Sequence, residues 1–335
     1  MALSVKRVLV VGGGFFGGLV AARLATLGLA PLVATRSPGT DLWLDAEDER
    51  SLRAVLRHGD VVVDTAGPFA MRTTRLVRVA MEVGCDVIDL AESLAWSEAV
   101  VGLSSRVADA GVRVYPACSA VAAVAGACIR ASGIVAPESV DLFLAPASAE
   151  TASPATLRGF VGSLGQPIRT FRDGQLRTVS GFTQTRRFPG SRRAGGLVES
   201  AGAVLLPRSW PSLRRAEFWV DPNVPLARSS LALAARVPPL AALARTIARW
   251  IGAGPIGRHD GAFAVAVSDA VRTATFTFSA RRRSYLIAVE PSVIAAEALA
   301  RGTGPAPGVI LPHAQVAPDL LFAGLLSLGM ALERG

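Results

Sequence analysis

The chain is nearly devoid of lysine: of its 35 basic residues only Lys6 is one. Neither tyrosine, Tyr115 or Tyr285, precedes a lysine, so a tyrosine-x-x-x-lysine catalytic pair and any lysine-base mechanism are excluded. Histidine is scarce as well. His58, His259 and His313 stand far apart, and no H-E-x-x-H zinc motif, G-x-S-x-G elbow or Walker loop occurs. The three cysteines, Cys85, Cys118 and Cys128, form no C-x-x-C pair, which argues against a disulfide framework and a zinc site and agrees with a cytoplasmic location. Val8–Ala22, Val114–Ile129 and Leu320–Leu332 are shorter than the roughly 18 apolar residues of a spanning helix, and Gly302–Pro318 carries four prolines. No transmembrane span and no secretory leader are therefore expected. With aromatics at 6% and arginines scattered, the net charge of +9 does not make a nucleic-acid surface. Attraction for an anionic small molecule is the sharper reading of that charge.

Glycine is abundant where it matters. In "KRVLVVGGGFFGGLVAARLATLG" an apolar β run, Val8–Val11, stops in Gly12, Gly14 and Gly17, and a small-residue helix follows, opened by Phe15 and Phe16. The spacing G-x-G-x-x-G reads as a dinucleotide site. Gly12 permits the tight turn, Gly14 lets backbone approach a pyrophosphate, and Gly17 lets helix and strand pack closely. The helix start then offers amides to phosphate.

Up to about residue 132, β runs alternate with helices, which predicts an α/β fold: a Rossmann doubly wound parallel sheet. Strands are expected at 7–11, 31–35, 41–44, 61–66, 86–90 and 113–115, with helices at 16–27, 46–57, 71–83, 97–110 and 121–131. Beyond Pro137 consecutive β runs joined by short turns predict an α+β domain over 133–304 with a mixed, mostly antiparallel sheet. "SYLIAVE" reads as one of those strands, and helices over 226–251 and 292–300 are expected to cover one face. The last segment, 305–335, reads as a helix that docks back on the first domain.

The expected strand tips supply the chemistry. Arg36 and Ser37 end the second strand where an NAD site would place an acid, and a guanidinium there suits the 2′-phosphate of NADP(H). Asp45 could accept from the adenine amino group or cap the next helix. Ala66, Gly67, Pro68 and Phe69 form a corner at the fourth strand that could contact cofactor. Asp89 and Glu92 at the fifth tip, and Tyr115 and Cys118 with Ser119 at the sixth, are the candidate proton-handling groups; helix capping or core packing is the plain alternative for each. His259, beside Asp260, reads first as part of a surface turn.

The segments "VLVVGGGFFGGLVAARLA", "GDVVVDTAGPFAMRTTRLVRVAMEVGCDVIDLAES" and "VYPACSAVAAVAG" resemble the saccharopine dehydrogenase family, in particular its bacterial saccharopine-dehydrogenase-like oxidoreductases. The resemblance implies a Rossmann domain, a mixed-sheet substrate and dimerisation domain, NADPH use and reduction of an imine, or of a related C=C or C=O bond, in a small-molecule substrate. It carries Gly12, Gly14 and Gly17 to the cofactor turn, and Ala66 to Phe69 to the corner touching the nicotinamide half. "PACSAVAAVAG" departs from the glycine-rich loop of true saccharopine reductases, which argues against saccharopine itself. The alternative is a non-catalytic dinucleotide-binding protein that acts in interactions or at a membrane surface, for which the apolar "LLFAGLLSLGMAL" speaks.

Overall fold

The computed structural model describes residues 5–151, 163–224, 233–237, 239–242 and 257–335. It contains two compact units: Met1–Ala127 with Ala288–Phe322, and Cys128–Ile287 with Ala323–Gly335.

The first unit is a Rossmann-type parallel sheet. Its strands are β1 (Val8–Val11), β2 (Leu32–Thr35), β3 (Leu42–Trp43), β4 (Val61–Asp64), β5 (Asp86–Asp89) and β6 (Arg113–Tyr115). Helices α1 (Phe15–Thr26), α2 (Glu49–Val55), α3 (Arg75–Val83), α4 (Leu94–Val101) and α5 (Ser104–Asp109) connect them, and α6 (Ala125–Ala131) follows a turn of wider helix over Ala120–Val124. The spatial order β6-β5-β4-β1-β2-β3 reverses beside β1, the switch point where ligands bind in such sheets. Val61, Val62 and Val63 are wholly buried, as strands covered on both faces must be. Helix α3 buries Leu76, Val77, Val79, Ala80 and Met81, and stops at Gly84, whose φ of +86° closes its end on the Ala80 carbonyl. His58 contributes there too: its Nδ1 lies 3.1 Å from the Val83 carbonyl.

Two late segments return to this unit. The helix Glu290–Ala300 packs on α1, β4 and β5, and Arg23 reaches Glu290 at 2.9 Å. Gly308–Val309 adds a seventh strand, parallel to β6. The sequence had placed 292–300 on the second domain; a local pattern of small apolar residues announces a buried helix but not which sheet it covers.

The second unit is a mixed, mostly antiparallel nine-stranded sheet. In chain order its strands are β7 (Ser139–Ala145), β8 (Pro167–Arg172), β9 (Gln175–Ser180), β10 (Thr185–Arg187), β11 (Ala194–Val198), β12 (Arg215–Val220), β13 (Gly261–Ser268), β14 (Thr273–Ala280) and Ala331–Arg334. Among the described strands of this sheet only β7 and β12 run parallel, with Asp141 beside Glu217 in register. Phe143, Ile168, Phe188, Leu197 and Trp219 make a core on that face. Two expectations are corrected. "SYLIAVE" is not a strand: Ser284–Ala288 is a 3-10 turn that runs into the helix at Glu290, where Pro291 favours a helix start. The C-terminal segment is not helix throughout: Pro318–Ser327 is helical, Gly329 turns at φ +85°, and Ala331–Arg334 pairs with β14. Most of the helix expected over 226–251 lies outside the described residues.

Candidate dinucleotide site

The glycine turn is built from three different constraints. At Gly12, with φ +103°, a Cβ would lie 2.8 Å from Thr65 Oγ1 and 2.9 Å from the Ala66 nitrogen. At Gly17 it would lie 1.8 Å from the Gly12 carbonyl oxygen. A Cβ on Gly14 would meet nothing within 4 Å. Two glycines are thus demanded by the protein's own backbone, whereas the third stands before open space, as a ligand-facing glycine should. The Thr65 hydroxyl fixes the turn against β4 through the carbonyls of Val11 and Gly12, at 2.9 and 3.0 Å. No side chain caps the start of α1 and no acid stands in its first turn, so that end favours an anion. Phe15 and Phe16 meet edge to face there, with centroids 5.3 Å apart.

At the β2 tip, Thr35 Oγ1 accepts from the Ser37 amide at 3.0 Å. The Arg36 side chain is 76% exposed, and its nearest carboxylate, Asp45, lies 3.9 Å away. Such a loose, wet pair holds little energy and is readily exchanged for a phosphate. Asp45 also serves the local turn, where its Oδ1 accepts from the Glu47 amide at 2.9 Å. It does not cap α2; Asp48 does, accepting from Arg50. The residues here therefore fit a 2′-phosphorylated dinucleotide.

Beyond β4 the corner Ala66, Gly67, Pro68 and Phe69 is solvent-facing at Gly67 and Pro68. Beneath it lies Asp64, wholly buried, both of whose oxygens accept from Arg72 Nη1 at 2.8 Å. Burial raises the Asp64 carboxyl, and Arg72 opposes that rise. Arg72 was not singled out from the sequence, because its role depends on a tip that exists only once the sheet has formed. The one available signal was an arginine within "DTAGPFAMR".

The β5 and β6 tips bring Asp89, Glu92 and Ser119 together. Asp89 is fully buried and accepts from the amides of Ala91 and Ala117 and the Trp96 indole at 3.0, 2.7 and 3.0 Å. Burial pushes it up to about 6 against those hydrogen bonds. Glu92 accepts from the Ser119 hydroxyl. Burial of its carboxyl raises Glu92 to about 7, helped by the neighbouring Asp89 and opposed by the Ser119 hydrogen bond, although the residue as a whole is exposed. Tyr115 and Cys118 do not join them at the surface. They are 1% and 0% exposed, and burial raises both the phenol and the thiol. The interior of the unit holds these two. His259 belongs to the second unit, 3.3 Å from Glu150, while Asp260 pairs with Arg193.

Residues 8–115 match the family described as Saccharopine dehydrogenase NADP binding domain. The first unit carries a domain of this family. The match covers β1 to β6 and hence the glycine turn, Arg36 and the Asp64 corner of the saccharopine dehydrogenase NADP binding domain. A "Lipid droplet localized protein" of Caenorhabditis elegans is 35% identical over 75 residues, 22% of this chain and 18% of that protein, so the likeness spans less than a fifth of the relative. Among solved structures, an engineered D-amino acid dehydrogenase bound to NADP+ shares 13% identity over 95% of this chain and 96% of its own, with a TM-score of 0.44. A C. glutamicum DAP dehydrogenase in complex with DAP shares 12% over 97% and 99%, with a TM-score of 0.41. Likenesses this distant say nothing of substrate.

Proposed function

We propose that the chain is an NADPH-dependent oxidoreductase that reduces a C=N bond, or a related C=C or C=O bond, in a small metabolite. The observation that carries this reading is an unobstructed Gly14 turn beside an exposed Arg36, within a domain matching an NADP-binding family. Gly12, Gly14 and Gly17 with the backbone of Phe15 and Phe16 would hold the pyrophosphate. Arg36 and Ser37 would receive the 2′-phosphate, Asp45 the adenine edge, and Ala66 to Phe69 the nicotinamide half. The bound nicotinamide supplies a hydride. Glu92, raised to about 7, is partly protonated at neutral pH and would give that proton to the substrate nitrogen, and Asp89 holds the Ala117 amide. A protonated imine already carries the charge that accepts a hydride, so positioning does most of the remaining work. A cytoplasmic homodimer belongs to the same proposal and is tested by light scattering.

Calorimetry tests the cofactor. Arg36→Ala should weaken NADPH by about 2 kcal/mol, roughly thirtyfold, and leave NADH nearly unchanged. Equal weakening of both would remove Arg36 from the 2′-phosphate site, and no uptake of NADPH by the wild-type chain would end the proposal. Turnover against amine and carbonyl pairs tests the acid: Glu92→Gln should lower kcat/KM roughly a hundredfold, and an unchanged rate would discharge Glu92.

A second reading, a dinucleotide-binding protein at a lipid surface, draws on the 75-residue likeness to the worm protein and on exposed Leu320 and Leu326. Flotation with phosphatidylcholine vesicles, without turnover of any substrate pair, would favour it.

A further inference from the structure

We propose that Arg72 is a positioning residue that holds the corner Ala66–Phe69 in the shape that receives the nicotinamide half of the cofactor. This rests on the NADPH reading above. The side chain is only 8% exposed. Its Nη1 donates to both Asp64 oxygens and to the Ala66 carbonyl, each at 2.8 Å, so one guanidinium nitrogen spans the end of β4 and the first residue of the corner. Its Nε donates to Glu47 at 3.2 Å, which ties the corner to the segment after β3. The guanidinium carbon lies 5.3 Å from the Phe69 ring centroid and 5.2 Å from that of Trp96. Those rings meet edge to face at 5.1 Å, so the cation and both rings form a single packed cluster.

Through Trp96 the cluster reaches the next strand, because the same indole donates to Asp89, and Asp89 in turn holds the Ala117 amide. Three strand tips are thereby joined by one chain of contacts, in which Arg72 holds the Ala66 carbonyl and Asp64 accepts from the Ala66 amide at 3.0 Å. Arginine is required for shape as well as charge. A planar fork can lie between two rings while bonding a carboxylate and a carbonyl; a lysine ammonium can neutralise Asp64 but cannot do the rest. Nη2 is buried without a hydrogen-bond partner, so the guanidinium is not arranged to satisfy every donor it has. Its placement follows the corner instead.

The experiment separates the two halves of the cofactor. Calorimetry compares NADPH with adenosine 2′,5′-bisphosphate, which carries the adenine-side phosphates and no nicotinamide, on the full chain and on Arg72→Met and Arg72→Lys. Arg72→Lys keeps the charge opposite Asp64, and its result stands alone if Arg72→Met fails to fold. Both variants should bind NADPH about tenfold more weakly, since a displaced corner misplaces the reacting half, while the bisphosphate changes by less than about twofold. The emission of bound NADPH should move toward that of the free nucleotide. Equal loss of both ligands would mean a general structural role and overturn the proposal, as would unchanged NADPH affinity in Arg72→Lys. A wild-type chain that takes up the bisphosphate no less tightly than NADPH also overturns it, whereas one that takes up neither fells the NADPH reading itself.

Discussion

Each unit buries an aspartate under a tryptophan, and each solves the resulting electrostatic problem differently. In the first unit Asp89 accepts from the Trp96 indole and two backbone amides, all neutral donors. In the second, Asp141 accepts from the Trp219 indole at 3.4 Å, but Arg186 and Arg215 stand 2.5 and 3.0 Å from it. Its neighbour Glu217 takes the Arg172 guanidinium. A cleft of about 470 Å³ borders this lattice, lined by Arg172, Arg186, Arg214, Arg215, Glu217 and others. Burial among neutral donors raises Asp89 toward its protonation point, whereas the acids of the second unit sit in a lattice of opposite charges. The first arrangement suits a site that handles protons. The second suits a sheet that must hold its strands in register.

The largest effect should come from breaking the lattice. Glu217 is 1% exposed, and Glu217→Ala strands the Arg172 guanidinium beside Arg215 and Arg186. A cost of roughly 3 to 5 kcal/mol in urea unfolding is expected, because removing one partner of a buried ion pair leaves the other uncompensated. A cost under about 1 kcal/mol, the figure of surface pairs, would mean that water already screens the lattice and that the contrast between the units is false.

The next effect sharpens the other side. Asp89 titrates near 3.8 when unfolded and is raised to about 6 in the fold. The folded chain therefore holds more protons than the unfolded one between those values, and stability falls as pH rises from about 4 to about 6. The loss from this group is at most about 3 kcal/mol, by the usual conversion of a pKa difference. Asp89→Asn should remove that slope. Unfolding curves at pH 4 and pH 7 for both chains measure it, and parallel pH dependences would show that Asp89 is ionised throughout.

Much of the first unit was legible because its signals are local. Each strand, turn and helix announces itself within a dozen residues, and the glycine spacing reports contacts between β1, α1 and the end of β4. What was not legible depends on distant pairing. Gly308–Val309 is only two residues long and joins β6 through the pair Gly308 and Arg113, far apart in the chain. In β11, a Cβ on Gly195 would sit 2.7 Å from the Val220 nitrogen and one on Gly196 would strike the Phe182 ring. The glycines are there because backbone and ring come too close, which no pattern within "AGGLV" records. The site divides the same way. Gly12, Gly14, Gly17 and Arg36 follow from spacing, whereas Arg72 and the withdrawal of Tyr115 and Cys118 into the core follow from packing. A residue at a strand tip can point up toward a ligand or down into the sheet, and sequence period alone does not choose.

The smallest effect compares the two indoles directly. Trp96→Phe removes a 3.0 Å donor from Asp89, which has only neutral donors to replace it; Trp219→Phe removes a 3.4 Å donor from Asp141, which keeps two guanidinium groups. Hydrogen bonds to a charged acceptor contribute about 2 kcal/mol, so Trp96→Phe should cost about that much more than the loss of ring area, measured at pH 8. Below pH 6 the excess should shrink, because Asp89 is then protonated and no longer a charged acceptor. Trp219→Phe should cost less than half of it, since the longer bond is weak and the ion pairs remain. Equal costs for the two variants would show that the indoles serve both aspartates alike, whatever other donors surround them.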